Sequence, residues 1–192
     1  MKKFFILIPI LALVFTLPSC KDTAKVEDTK KVAEEHNDAK FKASKESDAQ
    51  FLVNAAETHM EVAKLGELAQ TNGMMSEVKK LGEMMKTDHA TVLKDLQGLA
   101  ARKQVTLPMS ITNDGQASYA KLMDEKGMAF DKKYCDMMVS GHEAAIDKFE
   151  QASTSVTDPD IKVWAASMLP TLRAHLDASI TCQKNCEKMK MK

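Results

Sequence analysis

Glycine and proline are scarce in this chain of 192 residues, at seven and five, and aromatic side chains make up only 5%. So few turn formers, set among abundant Ala, Leu, Lys, Glu, Asp and Met, point to an all-helical protein. Charge of one sign is lacking too. Lys plus Arg and Asp plus Glu both number 27, so the formal net charge is zero and no global field favours nucleic acid. Neither a Gly-rich phosphate loop nor a nucleophile elbow is present, which leaves two common catalytic frameworks without their motifs.

A long apolar run is also missing. The strongest one, Phe4 to Leu17 in "MKKFFILIPILALVFTLPSC", is short for a membrane-spanning helix. Two lysines before it and small residues after it read as a secretory signal. The ending Leu17-Pro18-Ser19-Cys20 resembles a bacterial lipobox. That resemblance implies cleavage before Cys20 and acylation of Cys20, with several acyl chains anchoring the protein to a membrane of the cell envelope. A plain signal peptide with an incidental cysteine is the plainer reading.

Four cysteines are present. With Cys20 taken by lipid, Cys135, Cys182 and Cys186 remain, an odd number for an oxidising compartment. Cys182 and Cys186 share a helical face, where a disulfide is geometrically awkward but available. Cys135 would then be a free, buried thiol. The terminal "CQKNCEKMKMK" could instead offer thiols and thioethers to soft Cu(I), or be an inert frayed end.

The organisation that follows is a signal peptide over 1–19, a charged tether over 20–47, a helical domain over 48–188 and a short tail over 189–192. The tether has almost no large apolar residues and predicts at most a transient helix around Val32–Phe41. Extended, it would hold the domain clear of the membrane. An arm packed on the domain is the competing reading.

From Asp48 onward the apolar residues recur at helical spacing. The spacing predicts helices over about 48–71, 74–103, 116–152 and 159–186. "TNG" and "STSVTDPD" mark two turns, and Pro108 and Gly115 break the pattern between the second and third helices. Pro170 inside the last helix predicts a kink. Four amphipathic helices of this length make an up-down-up-down four-helix bundle. The 14 methionines suit adaptable core packing, with copper handling as the sharper alternative.

The apolar rows of these helices pass through polar residues. His89 follows Met85, His142 follows Met138, His175 follows Leu172, and Glu61 borders the row of Thr58, Leu65 and Leu68. In an up-down-up-down bundle the first and third turns share an end. Counted from that end at 1.5 Å per residue, Glu61, His89, His142 and His175 lie roughly 18, 24, 21 and 28 Å deep. One carboxylate and three imidazoles at one level suit zinc, iron, manganese or copper. Asp88, Asp131 or Glu143 could orient the rings from behind. The bland alternative is a buried polar layer without metal, costing about 1–3 kcal/mol for each unsatisfied group. His36 and His59 read as surface residues, and Glu57 and Glu67 as solvated helix charges.

Four stretches taken in order resemble a bacterial family known only as domain of unknown function 4142. They are "FLVNAAETHMEVAKLGELA" with Glu61, "VKKLGEMMKTDHATVLKDLQGLA" with Asp88 and His89, "FDKKYCDMMVSGHEAAIDKFE" with Asp131, Tyr134 and His142, and "LPTLRAHL" with Pro170 and His175. The resemblance covers about residues 48–180. It implies a ferritin-like helical bundle outside the cytoplasm, with Tyr134 added to the candidate partners around the site, and it implies no enzyme activity. Di-iron carboxylate bundles use Glu-x-x-His pairs. Here Lys86, Val139 and Leu172 stand three residues before His89, His142 and His175, so a ferroxidase of that kind is not expected.

Two functions therefore stand at the level of sequence. One is a lipid-anchored envelope protein binding a transition metal through Glu61, His89, His142 and His175. The other is a non-catalytic structural or interaction lipoprotein whose polar layer only fixes helix register. The sequence names no protein partner for either.

Overall fold

The computed structural model describes residues 28–190, which form six helices and no strand. The expected signal segment, Cys20 and residues 191–192 lie outside the described residues. No helix among the described residues is long and apolar enough to cross a membrane. The helices are α1 (Thr29–Lys40), α2 (Ala43–Asn72), α3 (Ser76–Lys103), α4 (Asn113–Met123), α5 (Gly127–Ser155) and α6 (Pro159–Lys190).

The described part of the expected tether, residues 28–47, is largely helical, and α1 is packed on the domain. Asp28 caps α1 by accepting from the Lys30 amide. Ala33 and Asn37, one turn apart, are buried. The Asn37 side chain works as a piece of backbone, donating to the Thr106 carbonyl and accepting from the Thr106 amide, each at 2.9 Å. Lys30 pairs with Glu57 at 2.6 Å, so Glu57 is not a solvated charge. Polar and charged contacts dock this arm, and composition alone does not reveal them.

The third expected helix is two. A break at residues 124–126 separates α4 from α5, and Gly127 takes a φ of +56° there, in the left-handed region that glycine enters without strain. α6 runs as one helix through Pro170 to Lys190.

The long helices pack as two close pairs, α2 with α3 and α5 with α6. Gly66 and Gly82 allow the first pair to approach. A Cβ on Gly66 would sit 2.6 Å from the Gly82 carbonyl oxygen, and one on Gly82 would sit 2.7 Å from the Gly66 oxygen.

Each pair holds the turn of the other. Asp131, near the start of α5, accepts from the Met74 and Met75 amides at 2.8 and 2.7 Å in the α2–α3 turn. Asp48, near the start of α2, accepts from the Thr157 and Asp158 amides at 2.9 and 2.7 Å in the α5–α6 turn. These carboxylates satisfy amides that the helix starts leave free.

Those contacts overturn the up-down-up-down order. The two turns lie at opposite ends of the molecule, because the α2–α3 turn meets the start of α5 while the α5–α6 turn meets the start of α2. α3 and α5 therefore run in the same direction. The connection from Gln104 to Lys126, with α4 inside it, returns the chain along the length of the helices. Its 23 residues, counted from the sequence, are ample for that span.

The core is divided in two. One apolar cluster contains Leu65, Leu68, Leu81, Met85, Phe130, Tyr134 and Met138. The other contains Leu52, Leu96, Leu99, Phe149, Ile161 and Leu172. On every long helix the boundary between them is occupied by a histidine. His59 lies between Ala56 and Val62, His89 between Met85 and Leu96, His142 between Met138 and Ala145, and His175 between Leu172 and Cys182.

Candidate metal centre

Histidine is costly at such a boundary, since burial removes water from two ring nitrogens that both need partners. All four rings are nevertheless buried, each with 3% exposure or less. They meet in the middle of the molecule. Ring centroids are 5.5 Å apart for His89 and His142, 5.2 Å for His89 and His175, and 5.4 Å for His142 and His175. One nitrogen from each of these three lies within 4.8 Å of the others.

Each ring of the triad has one nitrogen engaged. His142 Nδ1 donates to the Met138 carbonyl at 2.7 Å, one turn back on its own helix. His175 Nε2 donates to Asp88 Oδ2 at 3.0 Å, across from α6 to α3. His89 Nδ1 faces His59 Nδ1 at 2.9 Å, across from α3 to α2. The remaining nitrogens, His89 Nε2, His142 Nε2 and His175 Nδ1, are buried and have no hydrogen-bond partner.

The hydrogen bonds fix the chemistry of the free nitrogens. A neutral imidazole that donates from Nδ1 presents a lone pair at Nε2, and the reverse holds for the other tautomer. His142, and His175 in its neutral form, therefore aim lone pairs, not protons, from their unbonded nitrogens. His89 does the same when its Nδ1 is the donor and His59 the acceptor. Burial pushes the His59 pKa down to about 4, helped by the charges of His142 and His175. Burial likewise lowers His142 to about 4 against the upward pull of its Met138 bond, and lowers His89 well below the ordinary value. Neutral rings are the form in which imidazole ligates metal.

A cavity of about 560 Å³ opens beside the triad, between α2 and α5. His89 and His142 line it together with Asn54, Thr58, Glu61 and Phe149.

The expected site is thus assembled in part. His89, His142 and His175 come together, and Asp88 orients His175. Glu61 does not join the donor group; it is half-buried on the cavity wall, and burial together with the Glu57 charge raises its pKa. It stands two residues after His59, about 200° around α2, so both cannot face the same point. Asp131 is committed to the α2–α3 turn. Tyr134 is buried deeper in the apolar cluster, stacked on Phe130 at 6.3 Å with its hydroxyl unpartnered. Glu143 is exposed, turned away from the neighbouring His142. Cys182 and Cys186 are free thiols, not a disulfide, and Cys135 lies with them.

His59 was expected at the surface and is the fourth ring of the layer, only 2% exposed. Its signal is an internal repeat. Asp48 to Asp131, His59 to His142, and the turn residues Met74 and Met75 to Thr157 and Asp158 are all the same step of 83 residues. His89 to His175 is a step of 86. Each half contributes a helix pair with one histidine on each helix.

The profile of the family described as Domain of unknown function (DUF4142) matches residues 30–180. The chain belongs to the DUF4142 family. The match includes α2, α3, α5, and α6 as far as residue 180, with all four histidines of the layer and most of α1. No curated protein and no solved structure matches the chain significantly.

Proposed function

We propose that this DUF4142 protein binds one transition-metal ion through His89 Nε2, His142 Nε2 and His175 Nδ1. The observation that carries the proposal is the division of labour within each ring. One nitrogen is held by a carbonyl, a carboxylate or another imidazole, and the other is buried without a partner. Ligating histidines are commonly oriented in this way by a bond at the far nitrogen. Three imidazoles suit zinc, copper or iron, and three protein ligands leave a coordination position open. The cavity beside His89 and His142 supplies room for a water or a small ligand there.

The four long helices with one returning connection fit a ferritin-like four-helix bundle. The resemblance of Leu17-Pro18-Ser19-Cys20 to a lipobox supports a lipid anchor on the cell envelope as part of this reading. A metal-free polar layer is the competing function, and the His59–His89 contact favours it, because the rings partly satisfy one another. Against it, the three unbonded nitrogens would each cost about 1–3 kcal/mol with nothing in return.

Metal content decides between them. Protein stripped by chelator and then offered zinc, iron, manganese or copper should retain about one equivalent of its preferred ion. The His89→Ala/His142→Ala variant should lose that equivalent of zinc, iron or manganese; for copper the readout is nitrogen scatterers in X-ray absorption, which the variant should lack. Equal, negligible metal in both proteins would leave only the structural layer.

A further inference from the structure

We propose that Cys135, Cys182 and Cys186 form a second, sulfur-only site for a soft cation, Cu(I) above all. The three sulfurs converge from two helices. Cys182 and Cys186 are one turn apart on α6, and Cys135 faces them from α5. Cys135 Sγ lies 3.1 Å from Cys182 Sγ and 3.8 Å from Cys186 Sγ, and all three lie within 4.8 Å of one another. An ion with metal–sulfur bonds of about 2.3 Å sets its sulfurs roughly 3.8–4.0 Å apart. The two distances from Cys135 fall short of that value by no more than about 1 Å, so small rotations about Cα–Cβ suffice.

A disulfide explains the arrangement less well. It would join two sulfurs at about 2.05 Å and leave the third in contact without a purpose. Three thiols around one point instead describe a coordination sphere. Among the described residues no fourth histidine, cysteine or carboxylate joins the group. Cu(I) accepts three sulfur donors in a plane, whereas structural zinc sites take four ligands.

The surroundings agree. All three cysteines are buried in an apolar cluster with Met85 and Met138, a dry and soft environment. Without a cation Cys135 and Cys186 hold their protons: burial pushes the Cys186 thiol up to about 11, and the bond to Cys182 together with burial pushes Cys135 up further, while Cys182, which accepts from Cys135, is lowered by that bond. The Asp131 carboxylate adds negative charge near Cys182 and Cys186. A bound cation offsets that charge, and each ligating thiol releases its proton to solvent. This site is distinct from the histidine layer, since Cys135 precedes His142 and Cys182 follows His175 by seven residues, about 10 Å along each helix.

The test uses the reduced chain under anaerobic conditions, titrated with Cu(I) against a chromophoric Cu(I) chelator. X-ray absorption of the wild-type complex should show sulfur scatterers at about 2.3 Å. His89→Ala/His142→Ala should keep that signature and affinity. Cys135→Ser, with its helix content verified by circular dichroism, should lose affinity by more than the roughly 10–100-fold typical of an outer partner. Nitrogen scatterers alone, or failure of the wild type to compete with the chelator, overturn the proposal. So does a Cys135–Cys182 disulfide in protein isolated without reductant, mapped by peptide mass spectrometry.

Discussion

His59 Nδ1 stands 2.9 Å from His89 Nδ1 inside the protein, so one of the two rings donates to the other. The direction of that bond decides whether His89 offers a lone pair or a proton from Nε2. A metal at the triad requires His89 to donate, with His59 as the fixed acceptor. His59→Phe fills similar space and removes the acceptor. It should weaken metal binding by about 10–100-fold while the fold persists. Isothermal titration of the apoprotein with the preferred ion measures this, and an unchanged affinity would reduce His59 to a filler of the core.

Acid should weaken the apoprotein through the same rings. His59 and His142 have folded-state pKa values of about 4, against 6.5 for the free side chain, and His89 is depressed as well. The unfolded chain therefore binds more protons than the folded one below about pH 6.5. Stability is fully present above that value and falls as the pH drops toward 4, at up to about 1.4 kcal/mol per pH unit for each ring. Urea denaturation at pH 7.5 and pH 5 should show a lower midpoint at pH 5. A midpoint independent of pH over that range would mean that the rings are not held neutral by burial.

The glycine pair between α2 and α3 makes a prediction about packing alone. Gly66→Ala places a methyl group 2.6 Å from the Gly82 carbonyl oxygen and 2.8 Å from the Lys86 amide nitrogen, both backbone atoms that cannot step aside singly. The helices must separate, at a cost of about 1–3 kcal/mol or more. Thermal unfolding reads the loss. Gly141→Ala, on α5 with open space around it, serves as the control and should be neutral or mildly stabilising.

Asp131 separates a turn-holding role from a part in the metal site. Asp131→Asn keeps the shape but gives up the charge-assisted acceptance of the Met74 and Met75 amides. It should cost on the order of 0.5–2 kcal/mol of stability and leave affinity for an ion at the histidine layer unchanged. Paired melting curves and metal titrations distinguish the outcomes, and a large fall in affinity without loss of stability would return Asp131 to the site.

The helical class and most helix positions were legible from apolar spacing, because rows such as Leu81, Met85, Leu96 and Leu99 repeat with the helical period. The order of the helices was not. The 104–126 connection reads as a loop whether it turns back or runs the length of the molecule, and only the Asp131 and Asp48 contacts reveal which. The histidine layer survived that error for a geometric reason. His89, His142 and His175 sit near the middle of helices of 28 to 32 residues, where depth is nearly the same from either end. Glu61 stays out because the row it borders does not point at the rings, and in the sequence only the 83-residue step to His142 marks His59 as part of the layer. The convergence of Cys135 with Cys182 and Cys186 depends on how α5 and α6 face each other, which no single-helix pattern contains.

The exchange of turn contacts between Asp48 and Asp131 makes the molecule resemble a symmetric dimer drawn as one chain. Identical subunits about a two-fold axis must present identical surroundings at equivalent places. A single chain is free of that constraint, and the histidine layer uses the freedom. His89 and His175 occupy corresponding helices, yet the first leans on an imidazole and the second on a carboxylate. At the proposed site their electron-donating power toward a shared ion would therefore differ, the carboxylate behind His175 pushing more density onto the free nitrogen than the imidazole behind His89. An ion held among them would experience a built-in polarity along the line from His89 to His175, a bias that no pair of identical halves could impose.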